Sequence, residues 1–448
     1  MVTGIMMRGE KWMVVFLGWL VCCSYGFEVA VIGGGIGGGS LAFYLSVLDP
    51  EIGVTVYERN GYVGGRLDHT TISGNTYNVG GDVWSEVNQY MVELQEALDI
   101  PLDDTVVNGS GIGVYSGRGV WLDLQEGLDA EDVRATAAAT TKFRVHLSNN
   151  YRRRGATGTF SSISEYLAAG SLDTYVAQST QSLFDGLGVS QAFLDVSVLP
   201  VCRTIYDSGD LSLNAFAGFA SVLSGSSRTY ATRGGNDVFV QTLLANAPSA
   251  TVLLRTPVTD VARLPTGRYR VTAGSDGGAA EYDAVVLAAP VEGANLTLTG
   301  ITRPGPARDY RHWYVSLVEA AAPNPDFFLR NPVPDNIYTT HNSTTVPFVV
   351  ASIVGNSASG QNVYKLFSNK PVAPFVTKLF LHVTETYVRH WPYTFPPLLP
   401  TESDFQPIIL DDNVYYTSAM ESVAVAMEAS VTAARNIALL ITERNHLM

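Results

Sequence analysis

Short apolar runs, separated by a glycine turn and a helical stretch, open the folded part of the chain. A run that begins at Glu28 leads into the glycine-rich residues 33–39, and a helical pattern covers residues 40–48. A second apolar run then ends at Glu58. Buried parallel strands are short and apolar, and a helix between two of them completes a βαβ unit. This pattern predicts an α/β fold.

Later segments mix helical and strand periodicity. Helices are predicted at residues 85–98, through 161–198, from 235 to 246, at 371–389 and at 422–442. Strands are predicted for a hairpin over 67–79, for 251–255, 258–264, 268–273 and 283–289, and between proline-rich loops from 301 to 395. The strands between 251 and 289 are interpreted as further strands of the first sheet and its cover. The long middle of the chain shows no strand periodicity, which indicates an inserted domain.

Composition limits the kinds of partner that the protein can have. Apolar residues make up 46% of the 448 residues, which supports a sizeable core, and charged residues make up only 16%. The 28 basic residues are outnumbered by 42 acidic ones, which gives a net charge of −14. Such a surface repels a phosphate backbone, so nucleic acid is not expected as a partner. Three cysteines, Cys22, Cys23 and Cys202, provide neither a disulfide framework nor a metal site.

Residues 1–26 have the pattern of a secretory signal peptide. Two basic residues precede a mostly apolar segment over residues 12–23, and the small residues Ser24 and Gly26 follow. The apolar segment is shorter than the about 20 residues that span a bilayer, so no stable transmembrane segment is expected. We expect the secretory pathway, with a lysosome, a vacuole or secretion as the destination. A disordered cytosolic leader is the alternative interpretation. N-glycosylation sequons, which permit this route without requiring it, begin at Asn108, Asn295 and Asn342.

The glycine turn after the first strand matches a dinucleotide-binding fingerprint. Gly33, Gly35 and Gly38 take the glycine positions of G-x-G-x-x-G, and Glu58 ends the second strand. The first glycine permits the tight turn, the second lets the backbone approach a pyrophosphate, and the third lets helix and strand pack closely. The helix N-terminus supplies N–H groups to the phosphates, and the Glu58 carboxylate can accept hydrogen bonds from a ribose. The fingerprint predicts NAD or FAD without choosing between them.

A second glycine pair bears on this choice. Gly64, Gly65 and Arg66 follow Glu58 as in the E-x(5)-G-G-R signature of the FAD-dependent amine oxidase superfamily, which the chain resembles over nearly all of its mature length. The resemblance implies noncovalent FAD, with this segment near the pyrophosphate. Asn78 stands where the superfamily has an acidic residue. Further cofactor contacts implied by the resemblance fall on Val258, Glu421, Met427 and Glu428.

Within that superfamily, the chain resembles the prenylcysteine oxidases, which are also called prenylcysteine or farnesylcysteine lyases. Stretches that carry this narrower likeness are residues 214–218, 364–368, 391–393, 409–416, 419–421 and 426–430. Such enzymes are secretory-pathway FAD thioether oxidases that act on the cysteine released when prenylated proteins are degraded. The resemblance implies that a prenylated cysteine, O2 and water are converted into a prenyl aldehyde, cysteine and H2O2.

This chemistry needs an apolar tunnel more than a catalytic triad. A carbon that is both allylic and bonded to sulfur stabilises positive charge, so a hydride can leave it without a strong protein base. His312 and Tyr416 are the candidate catalytic residues, and His312 and Arg203 are candidates for gripping the cysteine carboxylate or relaying a proton. Aromatic residues that line the site or pack in the core are Trp84, Phe216, Phe219, Trp313, Tyr314, Trp391, Tyr393 and Tyr416.

The resemblance also predicts the domain organisation. We expect a Rossmann-like FAD-binding domain with an interleaved α+β substrate-binding domain, as in FAD-linked amine oxidases. The FAD-binding domain is assigned residues 27–105, 228–295 and 402–448, and the substrate-binding domain is assigned 106–227 and 296–401.

Two other functions stay open at this point. An FAD-dependent amine oxidase is the nearest rival, but many such enzymes carry a lysine after the strand that precedes Pro290. This chain has no lysine between Lys142 and Lys365. The other alternative is a secreted protein that binds FAD or a lipid without catalysis, because cofactor motifs do not by themselves imply turnover. The preference for farnesyl or geranylgeranyl chains is also left open.

Overall fold

The computed structural model describes residues 26–103, 111–154, 158–302, 305, 307–341 and 346–446. Its strands are β1 Phe27–Ile32, β2 Ile52–Tyr57, β3 His69–Ile72, β4 Asn75–Asn78, β5 Trp84–Ser85, β6 Ile112–Gly117, β7 Val120–Leu122, β8 Thr229–Tyr230, β9 Ala250–Leu253, β10 Val258–Arg263, β11 Tyr269–Ala273, β12 Gly278–Tyr282, β13 Ala284–Leu287, β14 Thr297–Thr299, β15 Trp313–Ala320, β16 Ala322–Pro323, β17 Asn336–Thr339, β18 Val350–Asn356, β19 Asn362–Ser368, β20 Phe380–Leu381, β21 Glu385–Trp391, β22 Ile409–Asp411 and β23 Val414–Tyr416.

Its helices are α1 Ile36–Leu48, α2 Gln89–Ala97, α3 Leu124–Gly127, α4 Ala130–Arg154, α5 Ile163–Gly170, α6 Asp173–Val176, α7 Thr180–Gly186, α8 Gln191–Phe193, α9 Leu199–Tyr206, α10 Ala215–Gly225, α11 Asp237–Ala245, α12 Pro325–Phe328, α13 Val376–Leu379 and α14 Met427–Asn445. A π-helix spans Leu194–Val198, and a 3-10 helix spans Thr417–Ser422. Residues 1–25 of the predicted signal peptide and the sequons at Asn108 and Asn342 lie outside the described residues. Asn295 is exposed.

A six-stranded sheet of order β22-β23-β13-β1-β2-β9 forms the first layer of the fold. β1 pairs in parallel with β13 and β2, which places Val31 opposite Val286 and Val56, and β23 and β9 extend the parallel set. These strands are almost continuously apolar because both of their faces are covered. The predicted α/β fold with parallel strands is confirmed.

Helix α1 lies on this sheet through contacts that only glycine permits. A Cβ on Gly38 would overlap the carbonyl oxygen of Gly33, and a Cβ on Gly39 would lie 2.9 Å from Cγ1 of Val240 in α11. The absence of side chains here lets α1 approach both β1 and α11. The N-terminus of α1 is therefore held at the carboxyl edge of the parallel strands.

The predicted strands at 258–264 and 268–273 form a separate sheet. β10 and β11 join β12 and β14 in the order β12-β11-β10-β14, and their residues Val261 and Val271 belong to the same core as β1. β9 and β13, by contrast, do join the first sheet. The four-stranded sheet is thus the cover of the first sheet and not a continuation of it.

A seven-stranded sheet of order β21-β15-β19-β18-β17-β6-β7 forms the second part of the fold. β6 and β7 come from the middle of the chain, where the sequence predicts no strand. Gly113 interrupts the apolar pattern of β6 because a Cβ there would meet the Trp121 ring. Alternate residues of β15 enter different cores. We call the side of Trp313 and Leu317 the inner face and the side of Val318 the outer face.

The helix predicted at 371–389 is wrong. Residues 373–379 form only one 3-10 turn and one α-helical turn, and residues 385–391 are strand β21. His382 has φ +52, a conformation that does not continue a helix. β21 pairs with all but the last residue of β15, so sheet pairing overrides the local helical pattern.

Helices α4 to α10 contribute an aromatic group to the core that also includes β1. The Phe143 ring contacts Phe216 and Phe219 at centroid distances of 5.2 and 5.8 Å, and Phe184 stacks on Phe219 at 5.0 Å. Phe216 and Phe219 therefore take the core-packing role that the sequence left open. Within the described ranges, no helix combines the length and the apolar character that a membrane span requires.

Candidate active site

The first glycine turn presents an uncapped helix N-terminus at the carboxyl edge of the parallel sheet. Gly33 has φ +118, which only glycine adopts readily, and its N–H donates to the Tyr57 carbonyl at 2.8 Å. Gly35 is the N-cap of α1 and supplies no side-chain hydrogen bond. The first N–H groups of α1 can therefore serve an external anion, as they do in pyrophosphate sites.

Glu58 lies beside this turn, directly after β2. Its carboxylate accepts hydrogen bonds from the N–H groups of Gly34 at 2.9 Å and Asn60 at 2.7 Å, and only 4% of the residue is exposed. Each carboxylate oxygen can accept more than one hydrogen bond, so the group can still bind a ribose hydroxyl. The Glu58 carbonyl accepts from Thr256 N–H at 2.9 Å, which brings the segment before Val258 to the same end of the site.

The second glycine turn closes against the first. Gly35 and Gly64 form a parallel bridge, and the Gly64 N–H donates to the Gly34 carbonyl at 2.9 Å. A Cβ on Gly35 would lie 3.5 Å from Cα of Gly65, an ordinary contact distance. The protein itself would thus accept a Cβ at Gly35, and no side chain at Gly35 or Gly64 covers the backbone of the two turns. Two facing glycine turns and a free helix N-terminus fit a dinucleotide, and we call them the cradle.

Arg66 is held next to the cradle by a buried acid. Its guanidinium contacts Glu421 at 2.5 Å and donates to the Thr394 carbonyl at 2.7 Å, and the Tyr310 hydroxyl donates to Glu421 at 2.5 Å. Burial acts to raise the pKa of Glu421, but Arg66 and Arg308 hold it below the usual value. The carboxylate is therefore ionised. Glu421 lies in the 3-10 helix before α14, and from there it orients the Arg66 guanidinium.

Tyr416, a predicted catalytic residue, is fully buried at the carboxyl end of β23. Its hydroxyl accepts a hydrogen bond from Arg308 at 2.6 Å, and Arg308 also pairs with Glu292 at 2.9 Å. Burial raises the pKa of the Tyr416 hydroxyl, so it stays protonated. The structure thus places Tyr416 in the supporting network behind Glu421 rather than facing an open site.

A second uncapped helix N-terminus lies close to the first. Ala426, the N-cap of α14, is extended and offers no side-chain hydrogen bond. A Cβ on Gly37 would lie 3.5 Å from Thr417 Oγ1 and 3.9 Å from Cβ of Ser430, so the first turns of α1 and α14 are neighbours. Met427 is part of this first turn. The cradle therefore continues from α1 toward α14.

The Glu428 side chain points to α2, so its predicted cofactor contact, which stays a prediction, can only be made by its backbone at the N-terminus of α14. Its carboxylate accepts hydrogen bonds from the N–H groups of Tyr90 and Met91 at 3.0 Å each and from the Tyr151 hydroxyl at 2.7 Å. It therefore serves the N-terminus of α2 and ties α2 and α4 to α14. Burial raises the pKa of Glu428 to about 7 against the effect of these donors.

His312 is also not brought to the cradle. It is exposed, its Nδ1 lies 2.9 Å from Nε2 of His390, and His390 stacks on Tyr314 at 4.4 Å. Tyr314 and His390 are register partners on the outer face, away from the core that includes Trp313. The alternation of β15 places His312 on that outer side. The structure therefore gives His312 no contact with the cradle residues.

Arg203 lies in the interior instead of at an open binding end. Its Nε donates to Thr339 Oγ1 at 2.9 Å, and its Nη1 lies 3.7 Å from Asp207. Burial lowers the pKa of its guanidinium to about 10. These contacts tie α9 to β17. Cys202 is a buried free cysteine, which agrees with its interpretation as a small apolar residue.

The Gly80–Asp82 turn follows Asn78, and its Asp82 is a part of the site that is not among the residues predicted from the sequence. Gly81 N–H donates to the Arg66 carbonyl at 2.9 Å, so this turn runs beside the second glycine turn. Asn78 Oδ1 accepts from the Asn236 N–H at 2.8 Å, and its amide donates to the Asp82 carbonyl at 3.3 Å. A carboxylate cannot donate, so the amide at position 78 makes a contact that the acid of the superfamily would not make.

A buried lysine meets the same turn from the seven-stranded sheet. Lys365 of β19 is only 6% exposed, and its ammonium pairs with the Asp82 carboxylate. The two residues are 283 positions apart in the chain. In the sequence, the only local features that relate to this ion pair are the acid after the Gly80–Gly81 pair and the lysine within residues 364–368. The packing of this turn against β19 brings the two residues together.

Comparisons with known proteins agree with this geometry. Family models described as prenylcysteine lyase and as NAD(P)-binding Rossmann-like domain match residues 145–447 and 31–98. Prenylcysteine oxidase 1 of Homo sapiens is 26% identical, with 95% of this chain and 93% of the human protein covered. Farnesylcysteine lyase of Arabidopsis thaliana is 24% identical, with 93% and 88% covered.

Solved structures show the same fold at low sequence identity. Cyclohexylamine oxidase from Brevibacterium oxydans is 13% identical with a TM-score of 0.61, and the match covers 94% of this chain and 99% of that one. Wild-type putrescine oxidase bound to putrescine is 13% identical with a TM-score of 0.63, over 93% and 99%. These likenesses concern the fold alone.

The fold and the cradle define the class of protein, one with a Rossmann-like dinucleotide-binding fold that it shares with solved amine oxidase structures. The particular family follows from the sequence match, because its model covers more than half of the chain. The chain belongs to the prenylcysteine lyase family.

Replacing Gly35 with valine tests the cradle. The backbone at Gly35 has φ −84, which any residue adopts, and the nearest protein atom to a Cβ is 3.5 Å away. We expect the Gly35→Val protein to fold, with unfolding free energy within about 1 kcal/mol of the unmodified apoprotein, and to lose co-purifying FAD. Flavin absorbance per protein and urea unfolding measure the two effects. Gly38→Ala is the control for helix–strand packing and should lower the unfolding free energy, because its Cβ would overlap the Gly33 carbonyl oxygen. Full flavin content in Gly35→Val would refute the cradle.

Replacing Glu428 with glutamine tests its burial. The pKa is raised from 4.5 to about 7 in the folded state, so the stability that the neutral form contributes is complete below pH 4.5 and lost as the pH rises through 7. The unfolding free energy of the natural protein minus that of Glu428→Gln should therefore fall by about 3 kcal/mol between pH 4.5 and pH 8. Urea unfolding at both pH values measures it. Glu96→Gln, on the exposed side of α2, should show no such trend, and a pH-independent difference for Glu428→Gln contradicts the interpretation.

Proposed function

We propose that this chain is an FAD-dependent thioether oxidase that cleaves prenylated cysteine. The observation that carries the proposal is the cradle of facing glycine turns at the N-terminus of α1, in a chain of the prenylcysteine lyase family. The substrate class is taken from its relatives, which are named prenylcysteine oxidase and farnesylcysteine lyase. The residues around the cradle support this chemistry in three ways.

The first support concerns the cofactor. FAD, when bound, supplies a two-electron acceptor. The N–H groups at the start of α1 and the facing turn at Gly64 suit its pyrophosphate, and Glu58 suits a ribose. Arg66 supplies a cation whose direction is set by Glu421. The one cysteine of the described residues, Cys202, is buried, which favours noncovalent binding.

The second support concerns an apolar substrate chain. On the inner face, Trp313 contacts Phe367 at 5.8 Å and Phe395 at 5.6 Å, and Trp391 is its register partner. Trp391 Nε1 donates to the Val79 carbonyl at 2.6 Å, so its ring lies next to the Gly80–Asp82 turn. An aromatic wall beside the site suits an isoprenoid better than a polyamine.

Third, the reaction requires little proton transfer by protein side chains. The C–H bond next to sulfur breaks, and two electrons leave to the acceptor. Water adds its oxygen to the same carbon, and the C–S bond then breaks to give a prenyl aldehyde and free cysteine. O2 takes up the two electrons and two protons to give H2O2, which balances the reaction. Sulfur and the allylic double bond stabilise the cationic carbon, so His312 on the outer side is not required.

An oxidation assay with matched thioethers tests the substrate. Each buried CH2 contributes about 0.8 kcal/mol, so farnesylcysteine should give a kcat/KM at least about 100-fold above that of S-methylcysteine, which also lacks allylic stabilisation. Farnesal and H2O2 should appear in equal amounts. Spermine and benzylamine serve as controls and should be inert. Faster turnover of an amine than of farnesylcysteine would replace the proposal with an amine oxidase, and turnover of neither would favour a non-catalytic binder.

We also propose that the protein follows the secretory route and acts in a lysosome, in a vacuole or outside the cell. The proposal rests on the apolar segment and on the small residues Ser24 and Gly26 before Phe27. Signal peptidase prefers small residues at these positions. N-terminal sequencing of protein secreted from cultured cells should give Phe27 as the first residue. Protein that starts at Met1 and stays in the cytosol would overturn this route.

A further inference from the structure

The seven-stranded sheet contacts the cofactor-binding part of the chain through the Lys365 ammonium. Lys365 is the register partner of Leu317 on the inner face, and only 7% of its side chain is exposed. Its pairing partner Asp82 is 32% exposed at the side chain. A lysine that is removed from water in this way needs a nearby counter-charge, and the Asp82 carboxylate supplies it.

The turn that carries Asp82 is held rigidly against the cradle. Val79 N–H donates to the Asp68 carbonyl at 2.8 Å, and Gly81 N–H donates to the Arg66 carbonyl at 2.9 Å. The Asn236 amide donates to the carbonyls of both Gly81 and Asp82 at 2.8 Å. The Lys365–Asp82 pair therefore has a fixed place relative to Arg66.

That place lies on the side of the cradle where the redox half of a dinucleotide must extend. Glu58 marks the ribose side, so the rest of the cofactor runs the opposite way, from α1 toward α14. Trp84, two residues after Asp82, shares one apolar cluster with Ile36 of α1 and Met427 of α14. The chain from Gly80 to Trp84 thus leads from the Arg66 carbonyl to the apolar cluster that the first turns of α1 and α14 also contact.

We propose that Lys365 is a positioning residue of the redox site, which neutralises Asp82 beside the redox ring and holds the Gly80–Asp82 turn. This inference rests on the proposed FAD-dependent function. Reduction adds negative charge to the ring. An Asp82 carboxylate without its counter-charge would oppose that charge, and the ammonium of Lys365 removes this opposition.

Sulfite affinity and midpoint potential of the bound flavin test the proposal without any thioether substrate. Lys365→Gln keeps a hydrogen-bonding side chain but removes the charge. Its flavin should bind sulfite at least tenfold more weakly, and its two-electron potential should fall by about 30 mV or more, the equivalent of a tenfold change. Lys365→Arg should restore the natural values, and Lys370→Gln, on an exposed lysine of the following loop, should not change them.

Two further variants separate charge from structure. Asp82→Asn leaves the ammonium without its partner and should shift both quantities in the opposite direction to Lys365→Gln. The double variant Asp82→Asn with Lys365→Gln has no charge and should return toward the natural protein. If the proteins retain flavin and all variants keep the natural sulfite affinity and potential, Lys365 has no such role.

Failure of the proposed function can be distinguished from failure of the proposed role of Lys365. If the natural protein holds flavin that farnesylcysteine reduces while the variants leave sulfite affinity unchanged, only the role of Lys365 fails. If the natural protein holds no flavin, the cofactor proposal fails and the role of Lys365 fails with it.

Discussion

The contact between two glycine turns is the constraint on which the rest of the site depends. Gly35 and Gly64 meet as a backbone bridge, and Gly33 and Gly64 adopt φ values of +118 and +133 that other residues rarely take. This contact places the segment that leads to Arg66 beside the N-terminus of α1. The position of the Gly80–Asp82 turn follows, because that turn is hydrogen bonded to the Arg66 carbonyl. A dinucleotide site is therefore built largely from backbone, and side chains orient it.

Those side chains form a network of paired charges that is buried except at Arg66. Glu421 pairs with Arg66 and accepts from Tyr310, and Arg308 joins Glu292 to Tyr416 behind them. Breaking one buried partner of such a pair typically costs about 3–5 kcal/mol, because the other charge is left unpaired. Glu428 performs a different task, since it satisfies the N-terminus of α2 and so connects three helices. Two acids of the same C-terminal segment thus serve opposite sides of the cradle.

Local patterns predicted the parts of the molecule that depend on local geometry. The fingerprint glycines, Glu58 and the parallel strands could be identified because turn chemistry and apolar runs are encoded in neighbouring residues. Parts that depend on contacts between residues far apart in the sequence could not be identified in this way. The residues of β21 have a helical pattern, and only their pairing with β15 makes them a strand. Nothing near Lys365 in the sequence indicates Asp82. The direction of a side chain could not be predicted from the sequence either. His312 lies on the outer face, and the Glu428 side chain of α14 binds the N-terminus of α2.

A crystal structure of the protein with FAD bound would show whether the two glycine turns hold the cofactor. We expect phosphate density against the first N–H groups of α1, beside the contact between Gly35 and Gly64, with the redox ring near the Lys365–Asp82 pair and apart from His312. A cofactor that binds elsewhere, or a redox ring on the outer side beside His312 and His390, would contradict this placement.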